Sequence, residues 1–207
     1  MSGVNAPERD YAKYAFFAVM AACLLLVIDV DERFLIMAQD PEWTHIAPFK
    51  WLLLVHGLGG VTALAIGPFQ FSYRLRRARP VLHRWLGRIY VGAIVIVAAP
   101  MGMWIGVHFE PRSIYIEQYF QAGFWWLSTL LAFLYIRARQ IPQHKLWMMR
   151  SYAFCLIFVL SRVPDAWVHL NDQQLSDELW SLVIVALITP DFILAWRERS
   201  RRRARAA

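Results

Sequence analysis

Six apolar runs separated by short charged stretches constrain this chain more than any other feature. They are Tyr14–Ile28, Trp51–Phe71, Ile89–Val107, Tyr119–Ile136, Leu146–Leu160 and Leu179–Trp196. A membrane-spanning helix needs about 17–25 predominantly apolar residues. The second, third, fourth and sixth runs reach that length, and the first does once Asp29 and Val30 are included. The fifth is the exception, because Arg150 and Arg162 bracket an uncharged core of 11 residues. It crosses a membrane only if both guanidinium groups snorkel or find partners inside the protein. Hydrophobic residues make up 58% of the chain, against roughly 45–50% in soluble domains. The expected fold is all-α: a polytopic membrane bundle of six transmembrane helices. They fall at about 11–30, 49–72, 86–108, 118–137, 144–162 and 178–197, in one domain spanning 1–207 with a short basic C-terminal tail.

The charges orient that bundle. Residues 1–13, 72–88, 137–150 and those after Pro190 carry 18 Lys and Arg against 4 acids. The alternate connections, 29–50, 108–119 and 162–178, carry 4 against 11. The positive-inside rule places both termini in the cytoplasm, in a bacterial inner membrane, with an even number of crossings. The net charge of +7 does not signal nucleic-acid binding, because the basic residues lie in short blocks between apolar runs. The tail Arg197–Arg205 reads instead as an anchor on anionic lipid. Trp51, Trp85, Trp104, Trp147, Trp180 and Trp196 fall near expected helix ends, where an interfacial belt belongs. Met20-Ala21-Ala22-Cys23 faintly resembles a lipoprotein cleavage site, but the apolar run continues past it through Ile28, so an uncleaved first helix is expected. Cys23 and Cys155 both lie inside apolar runs and read as small buried hydrophobes.

Polar residues inside lipid are costly and mark either function or helix contacts. His56 shares a helical face with Gly60, Ala63, Gly67 and Gln70. Such a face suits close packing of a second helix, or a flat cofactor lying on the glycines with His56 as its ligand. His83 and His144 each open an apolar helix on the basic side, and Gly87 lies one turn from His83. Arg84, Arg88, Lys145 and Arg150 surround them. Two His among cationic groups suit a b-type haem, with imidazoles on the iron and basic groups at the propionates. They equally suit an ordinary membrane interface. His108 or His169 is a candidate outer partner for His56, and His45 a weaker one. Arg162 is placed to pair with Asp165, and Asp191 with an Arg on the basic side. No Gly-rich phosphate loop, H-E-x-x-H, C-x-x-C or G-x-S-x-G occurs, so hydrolytic and nucleotide chemistry have no support.

At these motifs the chain resembles a bacterial membrane family known as domain of unknown function 2306. The resemblance rests on His56, Gly67-Pro68-Phe69-Gln70-Phe71, His83-Arg84-Trp85-Leu86-Gly87-Arg88-Ile89-Tyr90, His144, Trp147-Met148 and Arg150-Ser151-Tyr152-Ala153. That family is in turn distantly similar to b561-type two-haem membrane cytochromes, helical bundles with His pairs near both membrane faces. The resemblance implies His83 and His144 as an inner ligand pair and His56 as an outer ligand. The fourth apolar run, however, contains no His to complete an outer pair. The expected function is haem b binding for transmembrane electron transfer, with a quinone, a small reductant or a redox partner as donor. The alternative is a non-redox membrane protein, a small transporter or an assembly factor, whose His and Arg line a polar path or hold the bundle together.

The charge pattern makes a direct forecast. Reporter fusions after Arg79, Gln140 and Arg199 should read cytoplasmic, and fusions after Asp40, Arg112 and Asn171 external. A reversed signal at even two sites would overturn the orientation.

Overall fold

The structure is a computed structural model that describes residues 14–15, 17–22, 25, 47–109, 112–168 and 170–206. After a 3-10 turn, Ala47–Phe49, come helices α1 (Lys50–Phe71), α2 (Tyr73–Ala78) and α3 (Pro80–Gly92). A π-helical turn, Ala93–Ala98, joins α3 to α4 (Ala99–Phe109). Helices α5 (Arg112–Arg137), α6 (Ile141–Val168) and α7 (Asp172–Ala206) complete the chain. The described residues contain no strand. Residues 16, 23–24 and 26–28 of the first apolar run lie outside the described residues, as do His45, His169 and the side chains of Arg162 and Asp165.

Local chemistry explains where the helices begin and end. The basic stretch after Phe71 forms α2, because Ser72 Oγ accepts from the Leu75 N–H at 3.2 Å and caps the first turn. The next helix starts at Pro80 rather than near residue 86. Proline at the first helical position loses no hydrogen bond and brings a pre-set φ. Helix α7 starts at Asp172, ahead of the expected 178. Asn171 Oδ1 accepts from the Gln174 N–H at 2.9 Å, and Gln174 Oε1 accepts from the Asn171 N–H at 3.1 Å, a reciprocal cap. At the other end, the tail continues α7 as helix, with Arg202 and Glu198 paired at 2.6 Å one turn apart. The α5–α6 hairpin closes through Arg139 at φ 61°, while Gln140 N donates to Tyr135 O at 2.9 Å and Arg139 N to Ile136 O at 3.1 Å.

Among the described residues, four stretches are long and apolar enough to cross a membrane: Ala47–Phe71, Pro80–His108, Ile114–Arg137 and Asp172–Ala204. Their outward surfaces carry large apolar side chains, such as Trp51, Leu58, Ile96, Ile188 and Phe192, all well exposed. Helix α6 is not in that set, yet it is the best-buried element. It packs against α5, α7 and α1 and contributes Met148, Ser151, Tyr152, Phe154, Cys155, Ile157 and Val159 to the interior. Its Arg150 does not snorkel alone: Nη2 donates to Asp191 Oδ2 on α7 at 2.7 Å, and the guanidinium lies over the Trp147 ring.

Two prolines leave carbonyls that neighbouring helices satisfy. Pro68 in α1 has no N–H for the Leu64 carbonyl four residues back. The Tyr152 hydroxyl of α6 donates to that oxygen at 3.3 Å. In the π turn, Ala99 N bonds to Ile94 O five residues back, so Val95 O would need an N–H from residue 100, which is Pro. Trp126 Nε1 of α5 donates to Val95 O at 3.1 Å instead. Without water, an unpaired carbonyl in lipid costs several kcal/mol, on the order of 2–7, and these two side chains remove that cost.

A third joint is a chain of buried hydroxyls. Thr129 Oγ1 donates its only hydrogen to Trp125 O at 2.7 Å, so it must accept from Ser151 Oγ, also at 2.7 Å. Ser151 Oγ in turn accepts from Tyr90 O–H at 2.8 Å. The donors run in one direction, tying α3 to α6 and α6 to α5, and all three residues are fully buried. Ser151→Ala leaves the Tyr90 hydroxyl without an acceptor and Thr129 without a donor. We expect a loss of about 1–3 kcal/mol in unfolding from detergent micelles, with Tyr90→Phe adding little in that background. Unchanged stability of the single variant would show that the chain carries no weight.

Candidate functional site

The two histidines of the opening turns meet at the basic end of the bundle. His83 lies in the first turn of α3 and His144 in the first turn of α6, and the two rings lie within electrostatic range of each other. The Tyr90–Ser151 bond holds the same two helices together two turns deeper.

The two rings are held differently. His144 Nδ1 bonds to the Ala132 carbonyl of α5 at 2.9 Å. A carbonyl can only accept, so Nδ1 carries the hydrogen and Nε2 of the neutral ring keeps its lone pair. That is the arrangement by which a backbone carbonyl orients a metal-binding imidazole. His83 Nδ1 is buried and has no hydrogen-bond partner.

Gly87, one turn along α3 from His83, faces the side chain of Gln70. A β-carbon there would stand 3.2 Å from Gln70 Oε1. Gln70 is buried, and its Nε2 has no partner. The space beside Gly87 is therefore lined by an amide of α1.

The expected basic partners separate. Arg84 is exposed and lies within electrostatic range of His83. Arg88 is exposed and lies over the Trp85 ring. Arg150 is committed to Asp191 and Trp147. The arginine within electrostatic range of both His83 and His144 is Arg76 of α2. Sequence reasoning singled out neither Arg76 nor Gln70 as part of this site. Gln70, a polar residue in an apolar run, was a usable signal. Nothing in the sequence distinguishes Arg76 from Arg74, Arg77 and Arg79.

The small-residue face of α1 is covered by protein at Gly67 and open at Gly60, beside which nothing lies within 4 Å. Gly59 meets the Ala93 carbonyl and the side chains of Val97 and Ala98. The flat group lying on Gly67 is the Tyr152 ring, which overlaps the place a β-carbon would take. His56 Nδ1 donates to Ala98 O at 2.9 Å, the same kind of carbonyl bond that orients His144, and its ring packs against Gly102, where a side chain would intrude. His108 is exposed at the other end of the bundle, stacked on Trp104, with Nδ1 donating to Trp104 O at 2.8 Å. Among the described residues no three His, Cys, Asp or Glu cluster as a metal site.

Compared with known proteins, the chain matches one family model, described as a predicted membrane protein, domain of unknown function 2306, over residues 53–197. No curated protein matches it, and no solved structure does.

The Gly67–Tyr152 contact gives a local test. Gly67→Ala forces the Tyr152 ring off α1 and with it the hydroxyl from Leu64 O. We expect it to destabilise by about 1–3 kcal/mol as an overpacked contact, more than Tyr152→Phe, which keeps the ring. Equal stability of Gly67→Ala and the parent would contradict this packing.

Proposed function

This chain belongs to the membrane-protein family of domain of unknown function 2306, and we propose that His83 and His144 hold a b-type haem at the basic end, making the protein a transmembrane electron carrier. One observation carries the proposal: two imidazoles from different helices share one end of the bundle, one oriented by a backbone carbonyl and the other with a buried nitrogen lacking any partner. A bound haem supplies a one-electron centre of the kind that bis-imidazole ligation favours. His144 presents Nε2 while Ala132 fixes its ring. Arg76 and Arg84 supply positive charge beside the pair. His56 serves here as a packing residue, so the proposal needs one haem, not two.

In this proposal the protein makes six crossings of a bacterial inner membrane, with the basic end and both termini in the cytoplasm. Its donor is a quinone, a small reductant or a redox partner protein. A second reading draws on the same polar residues. Gln70 fills the space beside Gly87, and Arg150 is paired with Asp191, as befits a non-redox transporter or assembly factor held together by buried polar contacts.

An absorption spectrum separates the two. Protein expressed with haem available and purified in detergent should show a Soret band and sharpened low-spin bands on reduction. His83→Ala and His144→Ala should each abolish the low-spin spectrum while the chain still inserts, because insertion depends on the apolar runs. A colourless protein that takes up no added haemin would put the non-redox reading first.

A further inference from the structure

A buried amide with nothing to donate to is an anomaly that the packing leaves unexplained. Gln70 is 8% exposed, and its Nε2 lacks a hydrogen-bond partner. It lies near the end of α1, across from Gly87, and Gly87 shares a helical face with His83 one turn away. His83 Nδ1 is likewise buried and unpaired. The unsatisfied Gln70 Nε2, on a helix facing the one that carries His83, marks a place where an acceptor is expected. It is costly to leave unmade. The Arg76 guanidinium, which lies over the Tyr73 ring, is in electrostatic range of both histidines.

We infer that Gln70 is a ligand-binding residue of this site, its amide Nε2 donating to a carboxylate oxygen of the bound group while Arg76 supplies the opposing charge. The inference rests on the haem reading, in which that carboxylate is a propionate. The residue types suit the task. A neutral amide can wait in an apolar interior where an unpaired Lys or Arg could not. A hydrogen bond to an ionised acceptor is about twice as strong as one between neutral groups. Gly87 leaves room for the amide, because any side chain there would press on Gln70 Oε1. This places recognition of the bound group's acid edge on α1 and α2, and not on Arg150, which is paired with Asp191.

Haemin titrated into haem-free protein in detergent tests this, with haemin dimethyl ester, which lacks free carboxylates, as the control. Gln70→Met preserves length and volume and removes the donors. We expect the variant to bind haemin about tenfold more weakly than the parent, the worth of one charge-assisted bond. Its low-spin spectrum should persist, since both histidines remain. The two proteins should bind the dimethyl ester alike. Haem-free Gln70→Met should unfold at the same temperature as the parent or higher, because the substitution removes an unsatisfied buried amide. Equal haemin affinity, an equal loss with the ester, or a lower melting temperature of the haem-free variant would each make Gln70 a structural residue and overturn the inference. Failure of the parent to bind haemin is a different result: it would sink the haem reading itself, and the Gln70 assignment with it.

Discussion

The packing of this bundle depends on two carbonyl oxygens that proline leaves without a donor. Pro68 orphans Leu64 O, and Pro100 orphans Val95 O beside the π turn. In water such an oxygen would be solvated at little cost. In lipid it must be satisfied from within the protein. The donors come from other helices, Tyr152 of α6 and Trp126 of α5, so each defect in one helix becomes a fixed point of contact with another. Apolar surface cannot do this work here. Lipid tails are as apolar as leucine, so burying a side chain between helices gains little over leaving it in the bilayer. Position is set by small residues that permit approach and polar groups that reward it, as Gly67 does beneath the Tyr152 ring.

These joints place the candidate site. Tyr152 locks α6 to α1, the neighbouring Ser151 locks it to α3 and α5, and Arg150 locks it to α7. Three consecutive residues thus bind one helix to four neighbours, which accounts for its deep burial. His144 stands two turns before them, and Tyr90 stands two turns beyond His83. The same contacts that hold the bundle therefore present both imidazoles at its basic end.

How much of this was legible in the sequence differs by scale. The apolar lengths of α1, α5 and α7, and of the α3–α4 stretch, announced helices long enough for a membrane, because that property is local and additive. The start of α7 was missed although Asn171 and Gln174 spell a capping pair, and that of α3 although Pro80 marks a first turn. The matching settings of His83 and His144 placed both at the basic end of the bundle, in the first turns of α3 and α6. The glycine face of α1 was harder. A flat ring on Gly67 was a sound expectation, but sequence does not distinguish a ligand's ring from the protein's own Tyr152. Gln70 and Arg76 join the site only through the distance between α1, α2 and α3, which no local pattern encodes. Arg150 and Asp191 needed the same kind of information, although the burial cost of an unpaired guanidinium had already called for such a partner.

The dependence of the packing on orphaned carbonyls can be measured by restoring the missing donor. Pro68→Ala returns an N–H that can bond to Leu64 O within α1, so the Tyr152 hydroxyl loses its purpose there. A double-mutant cycle of Pro68→Ala and Tyr152→Phe, read by unfolding in detergent, isolates that coupling. The account predicts that Tyr152→Phe costs about 1 kcal/mol in the parent and close to nothing in the Pro68→Ala background. Equal costs in both backgrounds, with the two substitutions strictly additive, would contradict it.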